Sequence, residues 1–226
     1  MLKLISSMAT RQVLAELAAA WQKSSGVEVN IESVGGVDAA KRVQAGEAFD
    51  GVVLASDAID KLIASGQAVA GSRVDLVRSS VAIAVKAGTP RPDISTEAAL
   101  RSAIEAAPTI GYSTGPSGTA LVKLFEKWGI LEALKPRIVQ APPGIPVGTL
   151  VARGEVALGF QQLSELMHLE GIDVIGTMPE PVSITTIFSA ATCAASSQGG
   201  TFAQLAAFMA SAQAADVKRS QGMDPA

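Results

Sequence analysis

The chain has very little of the chemistry that usually announces an active site. In 226 residues it carries one cysteine, Cys193, and one histidine, His168. A single cysteine closes no intrachain disulfide, and together with one histidine it builds no zinc cluster. No metal site and no cofactor are expected, and no catalytic triad can be assembled. Cys193 sits in a run of small and apolar residues, Phe188 to Ala195, and reads as a buried structural thiol. His168 reads as a surface or structural residue. Aromatic residues make up 4% of the chain and the net charge is −3. Lys and Arg are scattered, with no basic stripe, so nucleic acid is not an expected partner. No run of about 18 apolar residues is present, so membrane insertion is not expected. No glycine-rich loop ends in Gly-Lys-Ser/Thr, which excludes a phosphate-binding P-loop. Met1 to Ile5 enters a strand pattern directly, without a basic segment, an apolar segment and a cleavage site. The sequence as written therefore reads as cytoplasmic, or as periplasmic if a leader has been removed.

What is present is aliphatic and periodic. Short apolar runs alternate with helical patterns, in the order expected of a parallel sheet covered by helices. The first series is Leu2–Ile5, Gln12–Lys23, Val27–Val34, Ala39–Ala45, Gly51–Ala55, Asp57–Ser65 and Val74–Val85, the last interrupted at Arg78-Ser79-Ser80. A turn-rich break follows at Gly88 to Asp93. The second series is helix Glu97–Ala107, strand Thr109–Tyr112, helix Thr119–Trp128, strand Arg137–Gln140, helix Val147–Arg153 and strand Val156–Phe160. Gln161-Gln162-Leu163-Ser164 opens a further helix, to about Glu170. Strands at Ile172–Ile175 and Ile184–Phe188 and a helix at Thr201–Ala212 complete the chain. The length admits one large domain or two α/β lobes.

The most informative stretch runs from Thr109 to Gly118. An apolar strand ends in Tyr112, a loop of Ser113, Thr114, Gly115, Pro116, Ser117 and Gly118 follows, and an amphipathic helix begins. The first-turn N–H groups of a helix have no intrahelical acceptor, and the helix dipole adds partial positive charge there, so such a loop suits an anion. Glycines at Gly115 and Gly118 allow close approach to the backbone. Ser6, Ser7, Met8, Ala9, Thr10 and Arg11 form a second loop of this design, with Ser7 or Thr10 as possible caps. Gly35, Gly36 and Val37 form a third. Val147, after the rigid loop from Ala141, and Gln161 and Gln162 complete the set. All are expected to contact one small anionic ligand. Arg11 or Arg42 is a possible carboxylate contact, and Asp57 a possible helix cap. Tyr112, the only tyrosine, is a candidate ligand contact or proton donor. No catalytic base can be identified.

These blocks, in this order and spacing, resemble the molybdate-binding-protein-like branch of the type II periplasmic solute-binding proteins. The residues that carry the resemblance are Ser6 to Leu14, Val34 to Gly46, Phe49 to Asp57, Pro116 to Gly118 with Lys127 to Gly129, and Ala157 to Gln162. The resemblance implies an α/β fold of two lobes, residues 1–80 plus 190–226 and residues 81–189. Two crossing strands would join them and the ligand would lie in an interlobe cleft. It also implies a transporter or sensor as a possible partner. The chain departs from the molybdate binders where they place hydroxyl donors. Ala9 stands where the first serine aligns, Gly35-Gly36 occupies the second loop, and Gln162 lies near the tyrosine position. The expected ligand is therefore a small organic carboxylate rather than molybdate. The alternative is a cofactor-free isomerase that shifts a proton on an unsaturated polycarboxylate, as aconitate isomerase does.

Overall fold

The computed structural model describes residues 1–226. The chain separates into two compact units, Met1–Ser79 with Thr186–Ala226, and Ser80–Thr185. From the amino terminus the elements are β1 (Leu2–Ser7), α1 (Arg11–Ser25), β2 (Val29–Val34), α2 (Gly36–Gln44), β3 (Gly51–Ala55), α3 (Ser56–Ala64) and β4 (Val74–Lys86). The second unit adds α4 (Glu97–Ala106), β5 (Ile110–Tyr112), α5 (Pro116–Lys127), α6 (Leu131–Leu134), β6 (Ile138–Gln140), α7 (Val147–Arg153), β7 (Leu158–Gln162), α8 (Leu163–Leu166) and β8 (Ile172–Thr177). The chain then returns through β9 (Thr185–Thr192), α9 (Gly199–Ala210), α10 (Ala215–Ser220) and β10 (Met223–Pro225).

In the first unit β1 lies between β2 and β3, parallel to both, with Leu4 opposite Ile31 and Gly51. β9 runs antiparallel on β3, Val53 opposite Ala190. Helix α1 buries Val13, Leu14, Leu17, Ala18 and Trp21, the stripe of a helix with one face on a core. It stops at Gly26, whose φ of 71° is the left-handed conformation that only glycine adopts cheaply. Phe202 of α9 lies in the same core and is 1% exposed.

The second unit repeats the design. β5 lies between β6 and β7, parallel to both, with Tyr112 opposite Gln140 and Phe160. The latter half of β4 runs antiparallel on β7 and on β8. Helix α5 buries Ser117, Gly118, Leu121 and Phe125. Near its end the Trp128 indole N–H donates to Glu97 Oε1 at 2.7 Å, tying α5 to the start of α4.

Several boundaries differ from the sequence reading. Arg78, Ser79 and Ser80 do not interrupt the strand, because β4 is continuous. β10 pairs with it there, Asp224 opposite Arg78 and Met223 opposite Ser79, so a remote segment supplies the hydrogen bonds. Helix α5 starts at Pro116, three residues before the apolar periodicity, because proline pre-sets the backbone for a first helical residue. Gln161 and Gln162 do not open a helix. They end β7, opposite Ala82 and Val81, and the helix after them is the short α8. α6, α10 and β10 carried too little periodicity to be read.

Candidate functional site

In both units the candidate loops leave the carboxyl ends of parallel strands, where open α/β sheets bind ligands. In the first unit β1 and β2 end in register, Ser7 opposite Val34. Residues Met8–Thr10 form a 3-10 turn leading into α1. Neither Ser7 nor Thr10 caps a helix here; no side-chain cap hydrogen bond forms at either start. The Thr10 hydroxyl instead donates to the Ser7 carbonyl at 3.1 Å. Ser6 Oγ and Ser33 Oγ lie 2.8 Å apart, so one of these hydroxyls donates to the other. Ser6, Ser7, Ala9 and Thr10 are buried and Met8 is half-buried, while Arg11 is exposed.

Helix α2 begins directly after β2 with Gly35 at its N-cap and no side-chain cap. Gly36 lies against the first loop: a Cβ there would stand 3.6 Å from Ser7 Cβ. Val37 is exposed. Arg42 is committed elsewhere. Its Nε donates to Glu47 at 2.6 Å, its Nη2 donates to Glu32 at 3.0 Å, and its guanidinium covers Phe49. Asp57 is not a cap either; Ala55 holds that position at α3 and Asp57 lies in the first turn.

In the second unit the loop after β5 folds on itself. Ser113 Oγ and Ser117 Oγ are 3.1 Å apart, and Gly115 N donates to Ser113 Oγ at 3.4 Å. Gly115 is the N-cap of α5, again without a side-chain cap. For contrast, α4 starts with Thr96 Oγ1 accepting from Ala99 N at 3.1 Å. Tyr112 and Ser113 are half-buried, Thr114 is exposed, and Ser117 and Gly118 are buried. The space a side chain at Gly118 would need is filled by the chain's own Ser113 carbonyl.

The structure joins Val147 and Gln161 to each other. Val147 N donates to Gln161 Oε1 at 2.7 Å, a buried bond. Gln161 Nε2 in turn donates to Glu165 Oε1 at 2.8 Å. Gln161 and Gln162 are 3% and 2% exposed.

Glu165 is the residue that sequence reasoning missed. Its signal was an acid among apolar neighbours, Leu163, Leu166 and Leu169, in a segment too short to show a clear face. Burial pushes its carboxyl up to about 7, and the bond from Gln161 opposes that only in part. No salt bridge involving it is formed. Because its folded pKa lies above the unfolded value of 4.5, it favours the folded state below that value. The benefit is lost as pH rises toward about 7. The shift corresponds to at most roughly 3 kcal/mol, and its partial exposure reduces this to about 1–2 kcal/mol. Glu165→Gln should therefore stabilise the protein at pH 8 and leave it unchanged at pH 4. Denaturant melts at the two pH values check this; equal shifts at both would refute it.

The remaining chemistry is quiet. His168 is exposed. Cys193 is buried and its thiol is pushed up to about 12, by burial first and then by the Asp50 charge, which leaves almost no reactive thiolate.

Comparison with known proteins agrees with this fold. The chain is 37% identical to an aconitate isomerase of Pseudomonas sp. over 232 aligned residues, covering 99% of this chain and 87% of that protein. A periplasmic molybdate-binding protein of Azotobacter vinelandii superposes with a TM-score of 0.81 at 21% identity, over 99% and 98% of the two chains. A sulfate-binding protein of Mycobacterium tuberculosis gives 0.80 at 16% identity, over 99% and 86%. The α/β fold expected from the sequence is thus the fold of the periplasmic binding proteins. No helix is long and apolar enough to cross a membrane. The family's description as extracellular gives no support to a cytoplasmic location, and a periplasmic one fits it. A match to the family's sequence profile spans residues 2–224, and the chain belongs to the bacterial extracellular solute-binding proteins.

Proposed function

We propose that this protein binds a small unsaturated polycarboxylate of the aconitate class and isomerises it by moving a proton. The observation that carries this reading is the aligned aconitate isomerase, which matches 99% of the chain at 37% identity. Two features of the structure support it. Helices α2 and α5 each start at a strand end without a side-chain cap, so their first-turn N–H groups are donors for carboxylate oxygens. The serine hydroxyls of the same loops are paired at Ser6–Ser33 and Ser113–Ser117, which uses one hydroxyl hydrogen of each pair and leaves backbone N–H groups as the larger share of the donors. The residues proposed to contact it are the loop residues Ser6–Arg11, Gly35–Val37 and Tyr112–Gly118, with Val147, Gln161 and Gln162.

A second reading is that the protein binds without turnover and delivers its ligand to a transporter or sensor. The structural likeness to molybdate- and sulfate-binding proteins favours that reading. One experiment separates the two. A thermal-shift panel of molybdate, sulfate, citrate and cis- and trans-aconitate identifies the ligand, since a compound at ~100 times its Kd stabilises by ~2.7 kcal/mol. The responding compound is then incubated with the protein in heavy water and followed by proton NMR. We expect cis- and trans-aconitate to respond and interconvert, with deuterium entering the carbon skeleton. A response to molybdate alone overturns the proposal; aconitate binding without exchange supports the second reading.

A further inference from the structure

We propose that the Glu165 carboxyl, held by Gln161 at the carboxyl end of β7, is the group that takes the proton from the substrate and returns it. The inference rests on the isomerase reading above.

The geometry that supports it lies within one unit. Tyr112 is opposite Phe160, so β5 and β7 end side by side, roughly 4.8 Å apart. β5 feeds the Ser113–Ser117 loop, and the next residue of β7 is Gln161. The Gln161 amide is fixed at both ends. Its oxygen accepts from Val147 N, and its nitrogen donates to Glu165 Oε1. This bond orients the carboxyl and uses one of its oxygens, and Glu165 is only half-buried. No cation neutralises it. Arg153, on the adjacent α7, faces Glu155 at 3.9 Å; Asp173 of β8 pairs with Arg91 at 3.1 Å. Lys86 ends β4 at an exposed position, and His168 and Glu170, just beyond α8, are exposed. A half-buried carboxyl without a counter-ion is a poor structural element, because the Gln161 bond offsets only part of the cost of desolvating an ionised carboxylate there. It is a suitable base, since burial places its pKa at about 7, near working pH.

The step balances without any co-reactant. In a tricarboxylate with the skeleton carboxyl–CH2–C(carboxyl)=CH–carboxyl, the Glu165 carboxylate removes one methylene proton. The C–H electron pair forms the new double bond, and the old π pair is delocalised toward the far carboxylate. The protonated Glu165 then delivers its proton to the former vinyl carbon. The double bond has moved one carbon, connectivity is unchanged, and cis and trans forms interconvert. Glu165 ends as it began.

The test uses the full chain with trans-aconitate in heavy water. Glu165→Gln keeps an oxygen that accepts from Gln161 Nε2, so folding and ligand-induced thermal stabilisation should persist. Interconversion and deuterium uptake should fall by about a hundredfold or more, the scale of a lost acid–base group. The wild-type kcat/KM should decline as pH falls through about 7, and Glu165→Asp should retain partial activity with a displaced profile. If the wild type interconverts aconitate and Glu165→Gln does so at a comparable rate, Glu165 is not the base while the isomerase reading stands. A flat wild-type profile between pH 6 and 8 also overturns the assignment, and needs no folded variant. If the wild type neither exchanges nor interconverts aconitate, both the isomerase reading and this inference fall.

Discussion

Gly118→Ala is expected to abolish ligand binding and to destabilise the second unit by several kcal/mol, although alanine is the better helix former. A Cβ at residue 118 would stand 1.9 Å from the Ser113 carbonyl oxygen and 2.8 Å from Tyr112 Cδ2. Gly118 lies within α5 and its φ is not in the left-handed region, so propensity alone would make alanine preferable by about 1 kcal/mol. The opposing term is a backbone clash that no rotamer relieves. To accept the methyl group, the Ser113 carbonyl must move by about 1.5 Å to reach ordinary contact distance. That movement breaks the Ser113–Ser117 contact and shifts the loop that presents the α5 N–H groups. Gly115→Ala is the control. Its Cβ would meet nothing nearer than Ser113 Oγ at 3.6 Å, and its φ of −81° suits any residue. Thermal melts without ligand should show a large loss of stability for the first variant and little for the second, and the best-binding carboxylate should no longer stabilise the first. Equal behaviour of the two would remove the packing explanation.

The second large effect lies in the first unit. Gly51 opens β3, and a Cβ there would come within 2.0 Å of Phe202 Cε2 and 2.2 Å of Cζ. Phe202 is buried in the α9 face of the core and has no free space to retreat into. Gly51→Ala should therefore cost about 3 kcal/mol through overpacking. Phe202→Ala should cost about 3–5 kcal/mol through the cavity it leaves. The pair should not add. Once the ring is gone the new methyl group has room, so Gly51→Ala in the Phe202→Ala background should be neutral or mildly stabilising. Denaturant unfolding of the four proteins of this cycle gives the coupling directly. Additive penalties would show that the cost of a methyl group at Gly51 does not come from the ring.

The sequence by itself determined the alternation of strand and helix, because one-sided burial imposes periods of two and 3.6 that survive as patterns of apolar residues. β3 and α7 were read with their observed limits, and most other elements to within a few residues. The loops at Ser6–Arg11, Gly35–Val37 and Tyr112–Gly118 were also visible, since small polar residues between a strand and a helix leave a local mark. Tertiary structure decided everything that depends on a remote partner. β4 runs unbroken through Arg78–Ser80 because β10 pairs with it there. Gln161 and Gln162 belong to a strand because β4 lies beside them. Gly118 answers to the Ser113 carbonyl, and Gly51 to a ring 151 positions away along the chain. Above all, the chemistry of Glu165 arises from burial and from one bond to Gln161. A carboxyl's pKa is set by the solvent and charges around it, and the identity of a residue carries no record of those until the chain has folded.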